Sequence, residues 1–149
     1  MGRTYGDEAH GADTGEARGE LVAAMRAIAG YERSLGGRML QGLDAIPGVH
    51  VWGIADPARI GERTPTFAVT LDGISPANAA AELGRAGIFT WDGDFYARAL
   101  IERLGTYEHG GVLRLGLVHY STAAEVDRTL EALACLAAGA PVGSHAFAR

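Results

Sequence analysis

The sequence predicts an α+β fold, a small and mostly antiparallel sheet with helices packed on one face. Three observations point there. Apolar residues recur at helical spacing near both ends of the chain, and short apolar runs bounded by Pro and Gly lie between them. The elements then read in the order helix, two strands, helix, strand, helix, strand, helix. The simplest packing of that order lays every helix on the same side of the sheet.

Each element has its own signal. From about Glu16 to Ile46, the residues Leu21, Met25, Ile28, Leu35, Met39, Leu43 and Ile46 keep a helical period. Gly30, Gly36, Gly37 and Gly42 each cost about 1 kcal/mol relative to Ala, so a break is expected near Gly36 and Gly37. Val49–Gly53 and Thr66–Leu71 read as strands between Pro and Gly signals. Ser75 is a good N-cap and Pro76 a good first residue for a helix running to about Ala86. Ile88–Trp91 reads as a short strand, Phe95–Leu104 as a helix and Val112–Val118 as the last strand. Thr122-Ala-Ala-Glu125 is a capping box, and Val126, Leu130, Leu133 and Ala137 form the buried stripe of the helix it opens. Residues 1–16, rich in Gly and acid, are expected to be mobile, residues 17–138 to form the domain, and residues 139–149 to be a mobile tail.

Composition narrows the function. With 149 residues, 48% of them hydrophobic, a chain buries about two-thirds of its unfolded surface in one core. A net charge of -5 with scattered arginines gives no footprint for nucleic acid. No apolar run reaches the length of a membrane span, and no signal-peptide pattern is present. The single cysteine, Cys135, sits between apolar neighbours and reads as a small buried hydrophobe. One cysteine gives no disulfide framework, which is compatible with the cytoplasm, the expected location.

The chemistry concentrates in the last strand. Leu113, Leu115 and Leu117 share one face and Val112, Arg114, Gly116 and Val118 the other. If the leucines bury against helices, Arg114 looks into a cleft or onto a partner, since a guanidinium is seldom buried unpaired. A planar five-donor fork on a rigid strand suits a carboxylate gripped through two hydrogen bonds, although pairing with a local acid is the alternative. Trp91-Asp92-Gly93-Asp94 reads as an acidic turn, without the third ligand a cation needs. His50, His109 and His119 have no metal-ligand spacing, so no metal site is expected. Nothing supplies a nucleophile paired with a base, so no catalytic residue is assigned.

Arg114, followed by His119-Tyr-Ser-Thr122 and a capped helix containing Glu125-Val-Asp127, resembles the last strand and helix of the class V aminotransferase and cysteine desulfurase family. Ala45-Ile-Pro-Gly-Val-His-Val-Trp-Gly53, Arg63-Thr-Pro-Thr-Phe-Ala-Val-Thr-Leu71 and Gly87-Ile-Phe-Thr-Trp-Asp-Gly-Asp-Phe-Tyr-Ala97 are similar to successive landmarks of that family's C-terminal domain. The resemblance spans roughly residues 17–138 and implies the small domain of a fold-type I enzyme dependent on pyridoxal phosphate (PLP). It implies that Arg114 binds the substrate's α-carboxylate, that Trp91 and Tyr96, with Asp94, line the site, and that the small domain covers a larger one.

Two departures from the family pattern limit these implications. All of the 13 Lys+Arg residues are arginine, whereas these enzymes hold PLP through a lysine, which lies in the family's larger, earlier domain. The resemblance therefore implies a PLP-bearing large domain or second subunit as partner, with a second copy of the chain as a further candidate, and no covalent PLP on this chain. Tyr96 stands where cysteine desulfurases carry their nucleophilic cysteine, and Ser121 where the family commonly has Asn. The expected function is the carboxylate-binding C-terminal domain of a transaminase or lyase-type enzyme, inactive alone. The alternatives are a stand-alone binding or interaction module and a fragment without function.

Overall fold

The apolar stripe of the first segment forms one continuous helix, Ala17–Asp44 (α1), in the computed structural model, which describes residues 17–143. Residues 1–16 and 144–149, where most of the expected mobile ends fall, lie outside the described residues. The break expected near Gly36 and Gly37 does not occur. Two of the helix glycines, Gly36 and Gly42, are points of contact instead. Gly36 is buried near Ile60 and Phe67, and a Cβ at Gly42 would come within 2.2 Å of Leu130 Cδ1. Close packing against neighbours offsets the conformational cost that glycine carries in a helix.

The strands are Val49–Trp52 (β1), Thr66–Leu71 (β2), Trp91–Gly93 (β3) and Val112–Gly116 (β4). They form one sheet in the order β1-β2-β4-β3, every neighbouring pair antiparallel. A 3₁₀ segment, Pro57–Glu62, links β1 to β2 and is capped by the Asp56 side chain, which accepts from Ala58 N–H at 2.9 Å. The helices Pro76–Arg85 (α2), Arg98–Arg103 (α3) and Ala123–Ala137 (α4) complete the chain. Ser75 caps α2 and Thr122 closes a full capping box on α4, both as their sequence signals require. This is the expected α+β architecture.

Three boundaries move, each for a local reason. The third strand begins at Trp91 rather than Ile88 because the Ile88 N–H is already committed to Leu83 O, at 2.9 Å. Gly87, at φ 74°, makes that closure of α2 possible, a Schellman motif with the Gly87 N–H on Gly84 O. The helix expected from Phe95 begins at Arg98, because Phe95 and Tyr96 are left-handed at φ 54° and 60°. The last strand stops at Gly116, after which Leu117 N–H turns to Pro65 O and a Val118–Ser121 turn leads to α4.

The core lies between the sheet and α1, α2 and α4. Phe67, Val69, Leu113 and Leu115 from the sheet meet Met39, Leu43, Leu83, Val126 and Leu133 from the helices. Leu130 and Ala137 complete the α4 stripe at its partly buried margin. Cys135 is half-buried at the edge of this layer rather than deep within it, beside Ala86, Ile88 and Val142. Of the expected tail, Gly139 and Ala140 close α4 and Val142 packs on the core. The stripe fails at the start of α1, where Leu21 and Met25 stay more than half exposed. No helix among the described residues is long and apolar enough to cross a membrane.

Candidate functional site

The side chains of β4 alternate as its sequence demands. Leu113 and Leu115 are buried, and Arg114 and Gly116 stand exposed on the opposite face. Val112 shares the Arg114 face but is buried, as is Ile101 of α3, and neither joins the main core. That end of the face is therefore covered, and the middle is open.

Register sets the surroundings of Arg114. Ala68 of β2 is its partner on one side and Trp91 of β3 its partner on the other, with Trp52 of β1 opposite Ala68. A row of Trp52, Ala68, Arg114 and Trp91 thus crosses the sheet on the face opposite the main core. Trp52 anchors one end by donating its indole N–H to Thr70 Oγ1 at 3.1 Å. Ala68 is the small member, leaving room beside the guanidinium.

On the β3 side the chain folds back over the arginine. The Asp94 carboxylate accepts the Tyr96 N–H at 3.1 Å, and Asp94 O accepts the Ala97 N–H at 2.8 Å. Between these bonds Phe95 and Tyr96 hold two successive left-handed conformations, each costing about 1–3 kcal/mol for a residue other than glycine. The turn puts the Phe95 ring under Arg114, with Cζ 4.6 Å from the ring centroid, and leaves Tyr96 fully in solvent. No carboxylate among the described residues forms an ion pair with Arg114, although Asp92 and Asp94 line the same cavity. The next arginine along, Arg98, is satisfied within its own helix by Glu102, at 2.8 Å, which raises its pKa further.

Arg114, Trp91, Asp94 and Tyr96, the residues singled out in the sequence, therefore line one open cavity of about 520 Å³. That volume suits a small ligand. Phe95 was not singled out, and it is the residue in contact with the guanidinium. Its signal was the Asp94 two residues ahead of Tyr96, since Asp side chains close such turns on the backbone two residues on.

The other candidates disperse. His50 faces Asp72 at 3.4 Å on the β1–β2 hairpin, His119 meets the Tyr120 ring edge-on, and His109 lines a separate groove with Trp52 and Thr70. No group of three side chains suited to a metal ion occurs among the described residues.

A model of the class V aminotransferases matches residues 20–129. The chain belongs to that family. The aminotransferase-like protein FGM3 of Gibberella zeae is 34% identical over 110 residues, covering 72% of this chain and 27% of the relative. Among solved structures, an apo cysteine desulfurase from Thermococcus onnurineus matches 81% of this chain at TM-score 0.67 and 23% identity. The Escherichia coli cysteine desulfurase CsdA matches 83% at TM-score 0.61 and 22% identity. These likenesses establish the fold as that of a part of such enzymes, and the chain spans about 30% of each solved chain.

Members of the class V family depend on PLP. The residues present do not fit that cofactor's attachment, because the sequence offers no lysine amine and the Arg114 cavity presents carboxylates and aromatic rings. The family match includes β4, so the Arg114 cavity lies wholly inside the shared region.

Proposed function

We propose that this chain supplies the substrate-carboxylate clamp of a PLP-dependent enzyme of the class V family whose cofactor and lysine reside in a larger polypeptide or domain. The observation that carries the proposal is Arg114 itself. It sits mid-strand on a rigid sheet, exposed, without a carboxylate partner among the described residues, in a cavity of small-ligand size. A guanidinium so placed binds a carboxylate through two parallel N–H donors and fixes its orientation. Trp91 and Tyr96 line the mouth and restrict how the rest of the ligand leaves the clamp. The reaction served is an amino-group transfer or a lyase step on an amino acid in the cytoplasm, with all covalent chemistry done on the partner. The chain alone is inactive in this reading.

The exposed apolar side chains support a partner. Leu21, Val22 and Met25 on α1, Phe89 ahead of β3, and Trp91 in the cavity wall expose apolar surface of the kind that marks an interaction site. A second copy of the chain is a further candidate for that surface.

The test is to capture the native chain from its own cells and weigh what comes with it. Co-recovery with a larger, lysine-bearing polypeptide carrying PLP is the expected result. Turnover should return when the two are mixed, and Arg114→Ala should raise KM for the amino acid by about tenfold or more. A chain recovered alone, at its own mass, would leave a binding module or an inactive fragment as the better reading.

A further inference from the structure

We infer that Phe95 is the positioning residue of this site, holding the Arg114 guanidinium in place so that its N–H groups stay available to a carboxylate. The inference rests on the reading of Arg114 as the clamp. Three features converge on it. The guanidinium lies over the Phe95 ring at 4.6 Å, so the cation is stabilised by a group that carries no oxygen acceptor. The ring satisfies the charge without displacing the two-oxygen partner that the fork is shaped to bind.

The second feature is strain. Phe95 at φ 54° and Tyr96 at φ 60° occupy a conformation that aromatic residues rarely adopt, twice in succession. Such strain persists where surrounding contacts over-determine it, and it gathers at functional sites. Here the two Asp94 bonds, to the N–H groups of Tyr96 and Ala97, lock the turn. The third feature is what that lock does to Asp94. Its carboxylate is the obvious local neutraliser of Arg114, yet one of its oxygens accepts from the Tyr96 N–H and no ion pair with Arg114 forms among the described residues. One turn therefore delivers a ring to the arginine and holds the competing acid away from it.

Without the ring, the long Arg114 side chain sweeps freely and must be ordered at the moment of binding. The consequence is a loss of carboxylate affinity in Phe95→Leu that Phe95→Trp restores, because the indole presents the better face to a cation.

The experiment uses the whole chain and nitrogen-resolved spectra of arginine side chains, with acetate at low salt as the probe. In the wild type and in Phe95→Trp, the Arg114 Nε–H signal should lie upfield from ring shielding, and in Phe95→Leu it should move to the position of a free arginine. Acetate should bind about fivefold more weakly to Phe95→Leu than to the wild type. An Arg114 signal unchanged by Phe95→Leu, or undiminished acetate binding by that variant while Arg114→Ala abolishes it, would overturn the role of Phe95 and leave the clamp standing. Acetate binding that survives Arg114→Ala, or fails in the wild type, would instead remove the clamp reading, and the Nε–H signal alone would then decide whether Phe95 holds the arginine.

Discussion

Among the described residues, two arginines rest on phenylalanine rings and end in opposite circumstances. Arg63 lies over Phe67 with Cζ 4.1 Å from the centroid, and Arg114 lies over Phe95 at 4.6 Å. Arg63 is half-buried and donates to the carbonyls of Ile54 and Thr66, the latter at 2.8 Å, tying the β1–β2 connection to the start of β2. Burial lowers its pKa. Arg114 has the ring and no hydrogen-bond acceptor among the described residues. One residue type thus divides between structure and function. Where the fold supplies acceptors, the fork is consumed by the fold. Where it supplies only a ring, the donors face outward to whatever carries a carboxylate.

The most severe way to break this contrast is to disturb the floor beneath Arg114. Gly111 precedes β4 at φ 85°, and a Cβ there would lie 2.2 Å from Gly93 O, a backbone atom that cannot yield alone. Gly111→Ala should cost about 3 kcal/mol or more, combining left-handed strain with overpacking. Urea denaturation followed by tryptophan fluorescence measures it. The Arg114 Nε–H signal should change while that of Arg63 stays, because β3 pairs only with β4 and the Arg63 corner is built on β2. Equal movement of both signals would mean that the two corners form one cooperative unit.

The second prediction compares the arginines directly. Arg63→Ala strands two carbonyls and removes charge-assisted bonds, so it should lower stability by about 2–3 kcal/mol. Arg114→Ala removes an exposed side chain and should change stability by about 0.5 kcal/mol or less. Thermal or urea unfolding of both variants decides the matter. A comparable loss for Arg114→Ala would make that residue structural and undo the contrast.

The contrast also marks how far the sequence could be read. Strand alternation in Val112–Val118 told which face Arg114 occupies, and the capping box told where α4 begins, because both depend on neighbours a few residues apart. The boundaries at Ile88 and Phe95 were missed because each is decided by where a single backbone N–H or a single φ is committed. Gly36 and Gly37 read as a helix break because propensity sees the cost of glycine, whereas the approach of Phe67 to Gly36 and of Leu130 to Gly42 that offsets it comes from distant segments. Of the cavity, Arg114, Trp91, Asp94 and Tyr96 were legible and Phe95 was not, since contact between residues 95 and 114 is created by the β3–β4 register.

The smallest effect comes from a third arginine, spent on neither carbonyls nor a ring. Arg38 on α1 meets Asp127 on α4 with two hydrogen bonds, at 2.5 and 2.7 Å, on an exposed surface. The hydrogen bond from Arg38, aided by its charge, holds the Asp127 carboxyl below the usual carboxylate range. A carboxyl whose folded pKa is depressed contributes stability that is present above its unfolded pKa, about 4, and is lost as pH falls through the lower folded value. Asp127→Asn should therefore lower the urea midpoint slightly at pH 6, and the difference from the wild type should shrink below about pH 4. Added salt should shrink it at pH 6 as well, because both groups are exposed. Arg114→Ala should show no such acid limb, since Arg114 has no carboxylate to protonate. An acid limb in Arg114→Ala matching that of Asp127→Asn would mean that Arg114 is paired in solution, and its availability to a ligand carboxylate would fall with it.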